Sequence, residues 1–241
     1  MIEFKIDKLQ DKIIKTIKEI DVEGNNRLID FIIEAGFFEA PASINHHLNS
    51  KGGLLIHSWL VYDFMKEFNQ RFNMKVPEKS IFLEGIFHDI CKINIYKKGA
   101  EPPTKKQIKY LDYLVKNNDM PLGFDYSKVK RSKNAVSDWI NYFKNGGDIP
   151  DKVKDSWHFE DDLPLGHGEK SVILLQNYIK LNEREQLAIR WHMGPWEESV
   201  LLGNRRNSLN QAREMYPDVG LLSQADGLAT MYEYNNNIEI S

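Results

Sequence analysis

Long apolar runs are missing from this 241-residue chain, and none approaches the roughly 20 residues that a membrane-spanning helix needs. Cysteine is nearly absent. The single Cys91 excludes an internal disulfide and fits a reducing compartment. Charge of one sign is lacking too: 32 Lys and Arg face 35 Asp and Glu, so the chain as a whole is not an obvious polyanion binder. The opening Met-Ile-Glu-Phe-Lys-Ile-Asp-Lys is charged from its third residue and has no signal-peptide core, so a cytoplasmic protein with no membrane partner is expected. Internal repeats and low-complexity tracts are also missing, and convincing strand patterns are few. What remains is an ordinary globular composition, 41% hydrophobic and 28% charged, long enough to bury a substantial core.

Apolar residues recur every three to four positions. That period predicts helices over 3–20, 24–35, 54–69, from Pro77 to about 89, 168–180, from Asn182 to Gly194, and 219–233. Asn182 with Glu185 reads as an N-cap and its N3 partner. The fold class is all-α, and residues 1–241 are expected to form a single domain. The stretch 97–165 differs in character, being proline-rich and only partly helical, and reads as an insertion. Between Lys97 and Lys133 it carries ten Lys and Arg against four acids, an excess that could steer a phosphate-bearing substrate or simply form a solvated surface.

Six residues stand out: His57, the pair His88-Asp89, His167, His192 and Asp226. Each falls on the apolar side of its own predicted helix; His57, for example, precedes Leu60 by three and Val61 by four. A single histidine there is ordinarily a core residue satisfied by one hydrogen bond. Six such residues, each needing a separate buried partner, call for a common explanation, and all are types that ligate transition metals.

The string His46-His-Leu-Asn-Ser-Lys-Gly-Gly-Leu-Leu-Ile-His-Ser58, followed by Phe87-His-Asp-Ile-Cys-Lys92, resembles the HD superfamily of metal-dependent phosphohydrolases. It is similar to the HD domain of YhaM-type 3′–5′ exoribonucleases. The stretches Pro164 to Val172, Ile189 to Gly194 and Ala225 to Thr230 also resemble small HD proteins of bacteria and their phages. The resemblance covers about 40–100 and 163–233; residues 1–40 read as helices where those exoribonucleases carry a β-barrel.

The resemblance implies an HD-domain helical bundle with a metal site in its core. His57, His88, Asp89 and Asp226 would hold one ion, and Asp89 would bridge to a second held by His167 and His192. The cofactor implied is a pair of divalent transition metals (manganese, iron, nickel or cobalt, with magnesium admissible). The implied reaction is hydrolysis of a phosphoester, in a phosphorylated small molecule such as a nucleotide or in a single-stranded nucleic-acid end, by a metal-activated hydroxide. Asp89 and Lys92 would be the catalytic residues, Lys92 also neutralising substrate phosphate. Candidate substrate contacts are His46, His47, Glu169, Lys170, Arg190 and Trp196, the last by stacking a base. The same ligand order also resembles HD-fold di-iron oxygenases, and a non-catalytic nucleotide-binding HD module is a third reading.

Overall fold

The computed structural model describes residues 2–43, 48–99, 101–122, 124–150, 157–161, 163–201, 203, 206–236 and 238–241. The described chain is mostly helical and falls into two compact units, Met1–Ile95 with Asp161–Ser241, and Tyr96–Glu160. No helix among the described residues is long and apolar enough to cross a membrane.

The first unit begins with strand β1 (Ile2–Phe4) and helices α1 (Ile6–Glu19), α2 (Asn25–Glu34), α3 (Gly53–Phe72), α4 (Glu78–Phe87) and the single turn α5 (Lys92–Ile95). The second unit holds β2 (Tyr96–Lys98), α6 (Lys105–Asn117), α7 (Tyr126–Val129), α8 (Lys133–Asn145) and β3 (Trp157–Phe159). The first unit resumes with α9 (His167–Gln176), α10 (Glu183–Arg190), a 3-10 turn (Gly194–Trp196), α11 (Glu198–Leu201), α12 (Arg206–Met215), α13 (Pro217–Asn235) and β4 (Ile238–Ile240).

In the first unit α3 packs against both α4 and α13. Residues Gly53–Ser58 of α3 and Ser80–Phe87 of α4 are buried on every side, as expected for helices enclosed by others. Gly85 makes the α3–α4 contact possible, because a Cβ there would lie 2.6 Å from Tyr62 Cα. The core has two clusters. One gathers Ile13, Ile32, Phe37, Leu83, Phe87 and Leu175; the other gathers Ile56, Met65, Ala188, Trp191, Leu222 and Ala225. Leu55 belongs to the first and Ile56 to the second, so His57 enters at their seam.

Two local features differ from the sequence reading. Glu3 and Phe4, expected in the first helix, belong to β1, which pairs in parallel with β4, Ile2 opposite Ile238 and Phe4 opposite Ile240. Ile-Glu-Phe suits either period over three residues, and its partner lies at the far end of the chain, beyond the reach of a local pattern. His192, expected inside a helix, lies just beyond Arg190, where α10 ends. The start of α10 is a complete capping box, with Asn182 Oδ1 accepting from Glu185 N at 3.0 Å and Glu185 Oε2 from Asn182 N at 2.9 Å.

The second unit has its own apolar core. Leu111 of α6, Val129, Val136 and Trp139 are buried, and Phe124 packs its ring 4.7 Å from Trp139. Thr104 and Gln107 form a capping box on α6, Asp125 caps α7, and Ser132 caps α8. Strands β2 and β3 pair antiparallel.

Candidate metal centre

Five points of the first unit bring the polar residues together. His57 lies in the first turns of α3. His88 is the C-cap of α4, so the chain turns there and places Asp89 beside it. His167 is the first residue of α9, and His192 follows α10. Asp226 lies midway along α13. The two histidine-bearing helix ends meet closely because of Gly168, where a Cβ would lie 2.3 Å from Arg190 O and 2.6 Å from Ile189 O.

His57 Nε2 lies 3.2 Å from Asp226 Oδ1 and 3.9 Å from Asp89 Oδ2. His88 Nε2 lies 3.6 Å from Asp89 Oδ2 and 4.0 Å from Asp226 Oδ1. His192 Nε2 lies 3.4 Å from the other oxygen, Asp89 Oδ1. Asp89 thus turns one oxygen to the His57–His88 side and one to His192. Two groups can each hold a metal ion, His57 with His88 and Asp226, and Asp89 with Cys91 and His167; within each, the ligand atoms lie no more than 4.8 Å apart. His192 is outside both groups and touches the second through Asp89. Two ligands each about 2.1 Å from a tetrahedral cation sit about 3.4 Å from one another, close to the separations seen here.

The imidazoles are held from behind. His88 Nδ1 donates to Gly85 O at 2.9 Å and His192 Nδ1 to Ile189 O at 2.8 Å. His57 Nδ1 donates to Glu233 Oε1 at 2.8 Å, and His167 Nδ1 lies 3.4 Å from Cys91 Sγ. A backbone carbonyl can only accept, so Nδ1 of His88 and of His192 carries a proton, and wherever the ring is neutral its Nε2 lone pair faces inward. Those two Nε2 atoms are buried with no hydrogen-bond partner; His192 Nε2 is close to Asp89 but not in hydrogen-bonding geometry. Orphaned lone pairs aimed at carboxylates fit a cation between them.

Burial is the largest influence throughout and drives His88 down to about 4, so it is neutral near pH 7. Burial also lowers His167. For His57 burial acts downward, but the Glu233 charge and the Asp226 contact outweigh it and raise the imidazole to about 10. In His192 the Asp89 contact likewise overcomes burial and raises it. Asp89 and Asp226 resist burial because their neighbours hold them down: Lys92 above all keeps Asp89 well below the usual carboxylate range, and His57 brings Asp226 to about 2. Burial and the Asp89 charge push the Cys91 thiol up to about 12.

Lys92 Nζ is 2.6 Å from Asp89 Oδ2 and only 14% exposed, supplying the positive charge that this carboxylate needs. Glu169 and Arg190 pair with each other at 2.7 Å, and Arg190 also lies over Trp191 at 4.3 Å. Lys170 is buried and pairs with Asp161 at 2.5 Å. Glu169, Lys170 and Arg190 therefore each have an intramolecular partner. Trp196 is 76% exposed, open to a stacking partner. His46 and His47 lie outside the described residues.

Three features were not read from the sequence. Cys91 faces His167, a consequence of its place in the turn after His88-Asp89. Glu233 stands seven residues beyond Asp226, a spacing that puts both on one face of α13 and could have flagged it. Glu84 and Asp218 form a buried carboxyl pair. Burial and then the Asp218 charge push Glu84 well above the usual carboxylate range. Arg184 Nε lies 3.5 Å from Asp218, while Ser80 Oγ donates to nearby Glu185 at 2.9 Å.

No family model, curated protein or solved structure matches the chain. The functional reading rests on the geometry of the site.

Proposed function

We propose that this chain is a metal-dependent phosphohydrolase of the HD type, acting on a phosphoester in a nucleotide or at a single-stranded nucleic-acid end. One observation carries the reading: buried imidazole nitrogens without hydrogen-bond partners converge with Asp89 and Asp226, while each ring is gripped at Nδ1. A stabilising hydrogen-bond core would have paired those nitrogens.

In this reading His57, His88 and Asp226 hold one cation, and Asp89, His167 and His192 the other, with Cys91 beside it. Asp89 serves both sides because its two oxygens face different histidines. The nitrogen and oxygen donors suit manganese, iron, cobalt or nickel. When bound, such ions acidify water and offset the charge of a phosphoryl group. The Nδ1 anchors fix the rings, so the donor atoms need little reorganisation on loading. Lys92, held 2.6 Å from Asp89 Oδ2, would offset the charge of a substrate phosphate. Exposed Trp196, four residues past His192, offers a base a stacking surface.

The test is metal analysis of freshly purified protein, followed by a panel of phosphate monoesters, cyclic and linear dinucleotides and short oligonucleotides with Mn²⁺, run with and without oxygen. Metal-dependent phosphate or nucleotide release that ignores oxygen supports the reading. Metal binding with no release from any ester, or turnover that needs oxygen, overturns it.

A further inference from the structure

We infer that Glu233 is a positioning residue for the metal centre, setting the tautomer and donor strength of His57; the inference rests on the metal-centre reading above. Among the described residues, four histidines face the centre, and their rear contacts are not alike. His88 and His192 rest on backbone carbonyls and His167 on a thiol. His57 alone has a carboxylate behind it, at 2.8 Å from Nδ1.

That carboxylate is costly to keep. The Glu233 side chain is fully buried, as is nearly all of His57, and a carboxylate out of water needs a strong donor. The ring N–H of His57 is such a donor. Asp226 and Glu233 are two helical turns apart on α13, so one helix grips both nitrogens of one ring: Asp226 at Nε2 and Glu233 at Nδ1. With the Nδ1 proton fixed by Glu233, Nε2 is the atom left for a cation, on the side where Asp226 already stands. A charged acceptor also draws that proton towards itself and makes Nε2 a better electron-pair donor than a carbonyl would. The contact therefore does two things, and they can be separated. Orientation requires only an acceptor. Donor strength requires the negative charge.

Two variants divide these effects. Glu233→Gln keeps an acceptor without the charge, and Glu233→Met keeps the volume without either. Affinity for Co²⁺ is measured by competition with a chelator, and the Co²⁺-loaded proteins are compared by the strongly shifted proton resonances of their ligating histidine N–H groups. Affinity is expected to fall about tenfold in E233Q and towards about 100-fold in E233M. The His57 N–H resonance should persist in E233Q and exchange away in E233M, with the other histidine resonances kept. Circular dichroism and melting confirm folding of each variant. If wild type binds Co²⁺ and both variants match its affinity within twofold, with unshifted resonances, Glu233 is core packing and the inference fails while the metal reading stands. If wild type itself binds no divalent cation, both fall.

Discussion

The two units of the molecule bury different kinds of side chain. In Tyr96–Glu160 the core is Leu111, Val129, Val136 and Trp139, and Ser132, a helix cap, is the only buried polar side chain among the described residues there. In the other unit His57, Glu84, His88, Asp89, Lys170, Glu185, His192, Asp218 and Glu233 are all buried. Ionisable groups in a core are a burden on stability that persists where they do something else. The candidate metal ligands all lie in the first unit, and most lysines of the second are exposed.

The largest expected effect comes from Asp89→Ala. It removes the carboxylate that faces both sets of histidines, so metal content and hydrolysis should be lost together, activity by about a thousandfold or more if several kcal/mol of charge stabilisation disappear. Normal turnover with a full metal complement would break the assignment. Trp139→Ala should cost the second unit about 3–5 kcal/mol through the cavity it leaves. Denaturant unfolding followed by separate probes should show that loss while Co²⁺ affinity stays at the wild-type value; a parallel fall in affinity would erase the contrast between the units. Lys92→Ala should retain metal but lower turnover about 100-fold, in line with removal of one charged donor at a reacting group. Loss of metal in that variant would make Lys92 structural.

A smaller effect is expected in pH dependence. The folded-state pKa of Glu84 is raised, first by burial and then by Asp218, so between the unfolded and folded values the native state binds more protons than the unfolded chain. Stability from this group is full below the ordinary carboxylate range and declines as pH rises towards the folded pKa, by about 1.4 kcal/mol per pH unit while the states differ by one proton. Glu84→Gln should flatten that decline, seen as melting temperatures that diverge from wild type as pH rises. Parallel curves would show that Glu84 is ionised in the native state. Smallest of all, if the basic residues of the second unit steer a polyanion, charge reversal at Lys128, Lys130 and Arg131 should raise KM for an oligonucleotide a few-fold and make it less sensitive to salt, leaving a small model ester unaffected. Equal effects on both substrates would leave the second unit with an ordinary solvated surface.

How much of this could be read from residues alone varies with the range of the interaction. The three-to-four spacing around His57, the Asn182–Glu185 box and the apolar stripes of α1 and α13 are local, and so are legible. The grouping of His57, His88, Asp89 and Asp226 is what the resemblance to HD phosphohydrolases implies, but the distances between them depend on how α3, α4 and α13 pack. Partner choice was hidden. Nothing in the order of residues says that His57 rests on Glu233 while His88 rests on Gly85 O, or that Arg190 pairs with Glu169 and so has a role within the fold. The β1–β4 pair joins the two ends of the chain, and so short a strand has no pattern of its own.

The contact between Lys92 and Asp89 changes what loading the centre means. Asp89 does not wait for a metal with its charge exposed; the chain provides an ammonium 2.6 Å away. A cation taken up at that oxygen would exchange one positive charge for another, and its affinity would be a difference between the two. A pocket that carries its own counterion can fold first and be filled afterwards, and a chelator should strip it without unfolding the protein around it.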